Sequence, residues 1–206
     1  MQQHVYKKWL PPIENRLSDI HGWLEDMHAA KDFAAALHLM LESDNDDPVV
    51  IDALSTATLV RYSRCFTTGA RERLRIEQLE TAEPNDIDLH ERLRGVRDWH
   101  VAHPVNRQEV HAVYLIFDPS PDATTGALGI SSLSVADLAL SPPEVAATER
   151  LCEKWIAWLT PKLVSENQKL IPLAQRLTRA EILALPSDEP SPEPNIHARR
   201  RQRSAK

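Results

Sequence analysis

The chain has 206 residues, a formal net charge of -6 and a hydrophobic share of 42%. That length suits one domain with a sizeable core, and the apolar share is close to that of ordinary globular proteins. An acidic chain argues against a broadly basic surface that coats nucleic acid, so any nucleic acid is expected to bind at a local basic site. The presence of only 5 glycines favours helices over a loop-rich all-β fold.

Cysteine usage and hydropathy indicate the compartment. Cys65 and Cys152 lie far apart and form no CxxC pair, so the sequence indicates neither a disulfide framework nor a zinc motif. No apolar run approaches the length that crosses a bilayer, and the N-terminus lacks the apolar core of a signal peptide. We therefore expect a cytoplasmic protein that is not inserted in a membrane.

Two helical segments are predicted in the first third of the chain. The segment 13–42 places apolar residues three and four positions apart, which is the pattern of an amphipathic helix. Gly22 leaves open whether this segment is one helix or two. Asp47 followed by Pro48 predicts an N-cap and a first helical turn, and the helix that follows should run to about Gly69.

The next segments are charged and interrupted by proline. The segment 70–80 is helix-prone, and the turn-forming stretch 81–86 ends it. A helical period returns in 87–103, and Pro104 closes that element.

A β-hairpin and a long helix are predicted next. Residues 110–117 are rich in β-branched and aromatic types and a turn cluster follows them, which places the hairpin at about 108–138. Ser141 and Glu144 form the pattern of an N-cap with a capping box. Prolines 161 and 172 lie inside the helix that follows and are expected to kink or divide it.

The predicted fold is mainly α, a helical bundle with an inserted β-hairpin, in one domain over residues 1–185. Residues 186–206 are rich in proline and charge and end in a basic run, which predicts a disordered basic tail. A solvated tail is favoured over a dedicated RNA-binding arm at such a terminus.

The stretch LRGVRDWHVAH concentrates the polar residues that most suggest a functional site. Its basic residues are Arg94, Arg97, His100 and His103. They are three positions apart, and at about 100° per residue this spacing sets them along one oblique stripe of a helix. Asp98 follows Arg97 in the chain and is expected on a different helical face, either as an orienting partner or simply as a surface acid.

Such a stripe suits chemistry on a phosphodiester. Histidine has an ordinary pKa near neutrality and can exchange protons beside a fixed guanidinium charge. RNA carries its own nucleophile in the 2′-OH, so cleavage needs a base, an acid for the leaving oxygen and positive charge for the pentavalent intermediate. The stripe offers all three without a metal ion.

The run RDWHVAH separates Arg97 from His103 by five residues and places the polar Asp98 directly after the arginine. It resembles the Rx4-6H motif of the HEPN superfamily. The wider runs YSRCFTTGARERL and LHERLRGVRDWHVAHPVN are similar to the abortive-infection-type branch of that superfamily, and the resemblance covers roughly residues 48–106.

The resemblance implies a helical bundle that forms a homodimer, in which two copies of the motif face each other and build a metal-independent RNase site. It implies Arg97 and His103 as the catalytic pair and Asp98 as the polar position of the motif. RNA is the implied substrate, and an antitoxin protein is the implied partner if the chain is the toxin of such a system.

The candidate site extends beyond the motif pair. The candidate catalytic residues are Arg97, His103, Asp98 and His100, and the candidate RNA-binding residues are Arg94 and Arg64, with no metal or cofactor. Whether His100 is a second catalytic group or only a neighbour is left open, and Arg64 is placed at the cleft because it lies on the preceding helix.

A solvated helix face is the first alternative. Arg94 and Arg97 would then pair with Glu91 or Asp98, and the histidines would lie at the helix C-terminus, where the helix dipole favours cations. In functional terms this alternative is a non-catalytic helical module that binds RNA or a protein through the same face.

A metal site is the second alternative. It would use His100 and His103 with His90 or His111 as a further ligand. Helical zinc motifs more often place histidines four positions apart beside an acid, and this stretch lacks that pattern.

Overall fold

The computed structural model describes residues 7–13, 16–43, 47–69, 71–98, 109–117, 119–120, 127–136 and 140–186. These residues form five α-helices and one two-stranded antiparallel hairpin, which confirms the predicted mainly α fold with an inserted hairpin. The predicted tail lies outside the described residues except for Pro186, whose carbonyl accepts a hydrogen bond from the Lys8 backbone N–H at 3.0 Å. Among the described helices, none combines the length and the apolar character needed to span a membrane.

The first helix, α1, runs without a break over Leu17–Glu42. Its apolar spacing buries one side from Ile20 to Leu37. Gly22 does not divide the helix. It leaves room for the side chain of Arg71, because a Cβ at this position would overlap the Nη1 atom of that arginine. The glycine thus permits a close approach within a helix, where it otherwise costs stability.

The second helix, α2, covers Pro48–Arg64. The predicted N-cap is confirmed, since a carboxylate oxygen of Asp47 accepts a hydrogen bond from the Val49 backbone N–H at 2.9 Å. The helix ends earlier than the predicted Gly69, with Cys65 as its C-cap residue.

The helix expected in the charged segment after α2 does not form, apart from one 3-10 turn over Ile76–Gln78. Three apolar side chains of this segment are buried in the core, those of Leu74, Ile76 and Leu79. The Trp23 indole N–H donates to the Glu72 carbonyl at 3.1 Å, which ties the same segment to α1. Tertiary packing therefore overrides the local helix propensity.

The third and fourth helices, α3 over Pro84–Val96 and α4 over Pro142–Ala174, each begin with a proline. The predicted cap of α4 is confirmed, because the backbone N–H and the hydroxyl of Ser141 donate to one carboxylate oxygen of Glu144 at 2.9 and 2.6 Å.

The expected division of α4 at its internal prolines does not occur. The helix continues through Pro161 and Pro172. Both prolines are exposed, so the carbonyl groups that lose a helical partner can be hydrated by solvent. A short fifth helix, α5, follows over Arg179–Ala184.

The hairpin consists of β1, Glu109–Phe117, and β2, Ala127–Ala136. The strands pair in antiparallel register from Glu109 opposite Ala136 to Ile116 opposite Gly129, and a bulge follows at Phe117. Leu115 and Ile130 lie opposite each other across the strands and are both exposed.

The core forms where α1 packs against α2 and α4, and α3 packs against α2 and α4. An aromatic group lies in this core. The Phe66 ring contacts Tyr62, His90 and Trp155 at centroid distances of 4.9, 4.5 and 5.5 Å. His90, a polar residue of α3, is thereby placed inside an aromatic environment.

Candidate functional site

Ion pairs with α4 fix the position of α3. The Lys154 ammonium lies 2.6 Å from a carboxylate oxygen of Asp86 in the first turn of α3, and Arg92 of α3 pairs with Glu144 at the start of α4. The Leu93 side chain is fully buried on the same helix. The face of α3 that carries the candidate arginines therefore has a defined orientation.

His90 and Arg94 lie on one face of α3, and Arg97 directly follows the last residue of the helix. Their spacings of four and three residues keep the three side chains within about 60° of one another around the helix axis. The regular helix ends at Val96, and Arg97 follows with helical dihedral angles, φ -59° and ψ -45°. The predicted stripe begins at Arg94, and the same face of α3 also carries His90, a buried histidine one turn closer to the N-terminus.

Arg97 is paired with its neighbour Asp98. A guanidinium nitrogen of Arg97 donates to an Asp98 carboxylate oxygen at 2.8 Å, and 31% of the Arg97 side chain is exposed. This is one of the pairings that the solvated-face alternative predicts. An exposed ion pair contributes at most about 1 kcal/mol, so a bound phosphate can compete with Asp98 for Arg97.

The two histidines of the motif, His100 and His103, lie outside the described residues. The distances from Arg97 to the proposed catalytic imidazoles are therefore not part of the described geometry. Of the other two histidines weighed as metal ligands, His90 is buried in the core and His111 lies in β1 opposite Ser134. Within the described part of the chain, no three His, Cys, Asp or Glu side chains are grouped to hold a metal ion.

Arg64 binds a carboxylate of α1 and does not line the cavity at Arg94. Its Nε atom lies 3.6 Å from the Asp26 carboxylate, which also binds Arg61 at 3.0 Å and Arg71 at 2.5 Å. The Asp26 side chain is only 3% exposed. Arg64 is therefore part of a buried ion cluster that joins α1 to α2 and to the segment after it.

A cavity of about 180 Å³ lies beside Arg94. Its polar lining consists of Arg73, Arg75, Arg94, His90, Glu77 and Glu91. No ion pair joins any of these three arginines to a carboxylate among the described residues, although two glutamates line the same cavity. Arginines outnumber glutamates in the lining, so this is a locally basic site of the kind that an acidic chain would need in order to bind an anion.

His90 forms the buried wall of the cavity. Its Nδ1 atom lies 2.8 Å from the Tyr62 hydroxyl oxygen, and its whole side chain is 2% exposed. Burial, and then the positive charge of Arg94, lower the pKa of His90 from 6.5 to about 4, against a smaller opposing effect of Glu77. His90 is therefore neutral at physiological pH. Burial also raises the pKa of Tyr62 well above its ordinary value.

Sequence reasoning missed Arg73 and Arg75 as site residues and considered His90 only as a metal ligand. The arginines lie in the segment that was expected to be helical, so nothing in the sequence placed them next to α3. A signal for His90 was present, because it lies four positions before Arg94 and seven before Arg97.

No protein-family model, curated protein or solved structure matches this chain. The resemblance to the HEPN superfamily therefore depends on the motif residues themselves, and the function that it implies is a proposal.

Proposed function

We propose that the chain is a HEPN-like, metal-independent endoribonuclease that cleaves RNA by attack of the 2′-OH. The observation that carries this proposal is the position of Arg94 in the last turn of α3 and of Arg97 directly after that helix, beside a cavity lined by two further arginines. Guanidinium groups bind phosphate oxygens in a bidentate fashion. Several guanidinium groups at one place on an acidic chain support binding of a phosphodiester backbone at α3.

The proposed reaction needs only groups of the motif. The 2′ oxygen attacks the neighbouring phosphorus, the bond from phosphorus to the 5′ oxygen breaks, and a 2′,3′-cyclic phosphate and a 5′-hydroxyl result. His103 accepts the proton of the 2′-OH, and His100 or the second copy of His103 in a homodimer returns a proton to the 5′ oxygen. Arg97 stabilises the negative charge of the pentavalent intermediate.

Asp98 has a positioning role in this proposal. Its hydrogen bond to Arg97 holds the guanidinium in one orientation before RNA binds, so that less rotamer entropy is lost on binding. Since the pair is partly exposed, its separation costs little when a phosphate oxygen takes the place of the carboxylate.

The biological setting follows from the same resemblance. The proposed enzyme is a homodimer in the cytoplasm, where RNA is its substrate. As a toxin of a defence or toxin–antitoxin type system, it would need an antitoxin protein that blocks the face of α3.

Incubation of the full chain with RNA in excess EDTA tests the proposal. We expect cleavage by the wild-type chain and a loss of at least about 100-fold in rate for His103→Ala, the size expected for removal of a general acid or base. His28→Ala removes an exposed histidine of α1 and is the matched control. Cleavage that needs a metal ion, or that survives His103→Ala, would contradict the proposal.

One observation favours a second candidate function, a non-catalytic RNA-binding module. The Arg97 and Asp98 side chains already pair at 2.8 Å, as on an ordinary solvated helix face. A module of this kind binds RNA without turnover, with weaker binding for Arg97→Ala and unchanged binding for His103→Ala. Measuring RNA affinity and cleavage on the same two variants separates the two functions.

A further inference from the structure

We infer that the cavity lined by Arg73, Arg75, Arg94 and His90 binds a single phosphate group, with the His90 Nε2–H as its buried donor. This inference goes beyond the proposed nuclease, because it concerns a binding site next to the motif and requires no cleavage. Arginines that make no ion pair among the described residues and a buried polar side chain line the same space here.

The contact between Tyr62 and His90 favours one imidazole tautomer. Among the hydrogen bonds of the described residues, the Tyr62 hydroxyl has one partner that can accept its proton, the Nδ1 atom of His90, and a buried hydroxyl that donates is better satisfied than one whose proton has no acceptor. A neutral imidazole whose Nδ1 accepts must carry its proton on Nε2. Oε1 of Glu91 lies 3.9 Å from Nε2, which is too far for a hydrogen bond. The Nε2–H is therefore available to a ligand in the cavity.

The cavity presents donors of the type that a phosphate requires. Arg73 and Arg75 come from the segment after α2, and Arg94 comes from α3, so their guanidinium groups approach the space from two different elements. Three guanidinium groups and one neutral N–H are all donors, which suits an acceptor with several anionic oxygens. The side chains of Glu77 and Glu91 also line the cavity, but both are exposed and can turn towards solvent when an anion enters.

The size of the cavity limits the ligand. Its volume of about 180 Å³ is below the ~300 Å³ at which pockets begin to enclose a whole small molecule. A phosphate group with part of its hydration shell fits such a space, whereas a complete nucleotide would project from it. The ligand is thus either inorganic phosphate or the terminal phosphate of an oligonucleotide whose chain continues outside.

Calorimetric titration of the full chain with inorganic phosphate tests the inference. At about pH 8 phosphate is mainly dianionic, and the ionic strength is held constant with chloride. We expect saturable binding that weakens about tenfold or more in Arg94→Ala and in Arg73→Ala, since each removes a charge-assisted hydrogen bond. Arg179→Ala is the matched control, because it removes one positive charge from an exposed arginine of α5 that does not line the cavity.

The role of His90 is tested by the same phosphate titration on His90→Gln, with thermal unfolding as a check that the variant folds. If this variant does not fold, phosphate binding by Arg94→Ala and Arg73→Ala still tests the inference. Absence of saturable phosphate binding, or equal binding by the wild type, Arg94→Ala and Arg73→Ala, would overturn the inference.

The source of the phosphate is decided in a second titration with 2′-O-methyl oligonucleotides, which cannot undergo 2′-OH attack. Tighter binding of a 5′- or 3′-phosphorylated oligonucleotide than of its hydroxyl-ended form, lost in Arg94→Ala, assigns the site to RNA ends. Equal binding of the oligonucleotides, together with Arg94-dependent binding of inorganic phosphate, assigns it to free phosphate. Both results are independent of RNA cleavage, so a failure of the proposed nuclease does not affect them.

Discussion

The Tyr62 hydroxyl and the His90 Nδ1 atom form a buried hydrogen bond of 2.8 Å, at a wall of the cavity where burial and the charge of Arg94 keep His90 neutral. In the folded chain the pKa of His90 lies at about 4, against 6.5 for an unperturbed histidine. Between those two values the unfolded chain binds a proton at His90 and the folded chain does not. The contribution of His90 to stability is therefore complete above pH 6.5 and is lost as the pH falls towards 4.

We predict that this linkage lowers the free energy of unfolding by about 3 kcal/mol over that pH window. His90→Gln is the comparison, because glutamine can accept the Tyr62 hydrogen bond but does not titrate. Chemical denaturation at several pH values should show the wild type losing stability faster than the variant between pH 6.5 and 4. Parallel pH curves for the two proteins would show that His90 is not the titrating group.

The buried ion cluster around Asp26 predicts a large loss of stability on removal of its one carboxylate. Three arginines approach Asp26 within 3.6 Å or less. In Asp26→Asn they lose their counter-ion. The arginines are partly exposed and can be hydrated, so we expect a loss of about 3 kcal/mol, the lower end for a broken buried pair.

The matched control for Asp26 is Asp32→Asn, which removes an exposed carboxylate from the same helix. It should change stability by less than about 0.5 kcal/mol. Urea denaturation of both variants measures the difference. A similar small effect for the two substitutions would mean that the cluster is not energetically coupled to the fold.

Gly22 and Arg71 should be coupled through the space that they share. Alanine is more stable than glycine within a helix by about 0.5–1 kcal/mol, but a Cβ at position 22 would overlap the Arg71 guanidinium and separate it from Asp26. We therefore expect Gly22→Ala to stabilise the chain only in the Arg71→Ala background, with a coupling energy of about 1 kcal/mol or more.

Gly95→Ala serves as the control for that cycle. Apart from its chain neighbours and the adjacent backbone of its own helix, no described atom lies within 4 Å of a Cβ built at Gly95, so alanine should stabilise α3 equally with and without Arg71. Thermal or chemical denaturation of the four Gly22 and Arg71 combinations measures the coupling. An additive cycle would mean that Arg71 moves aside without losing its contact with Asp26.

Local signals in the sequence were sufficient for the helices that begin with a cap. Asp47 and Ser141 each lie before a proline, and both caps have the predicted hydrogen bonds. Caps are formed by neighbouring residues, so the sequence alone contains the required information. The same holds for the hairpin, whose strands are adjacent in the chain.

Features that depend on distant residues were not predictable in this way. The segment 70–80 has helix-forming residues, but in its described part, 71–80, burial of the apolar side chains against other elements prevents a regular helix apart from one 3-10 turn. The sequence left open whether Gly22 divides the first helix, because its partner, Arg71, lies 49 positions away. For the same reason the arginines of the cavity were missed, since only the folded segment brings Arg73 and Arg75 next to α3.

Analysis of the product ends tests the proposed nuclease most directly. Two substrates of identical sequence are incubated with the full chain in excess EDTA, one of RNA and one with 2′-O-methyl groups. We predict cleavage of the RNA alone, with 2′,3′-cyclic phosphate and 5′-hydroxyl ends, and no cleavage by Arg97→Ala or His103→Ala. Cleavage of the 2′-O-methyl substrate, or products with 5′-phosphate ends, would contradict attack by the 2′-OH and with it the proposed function.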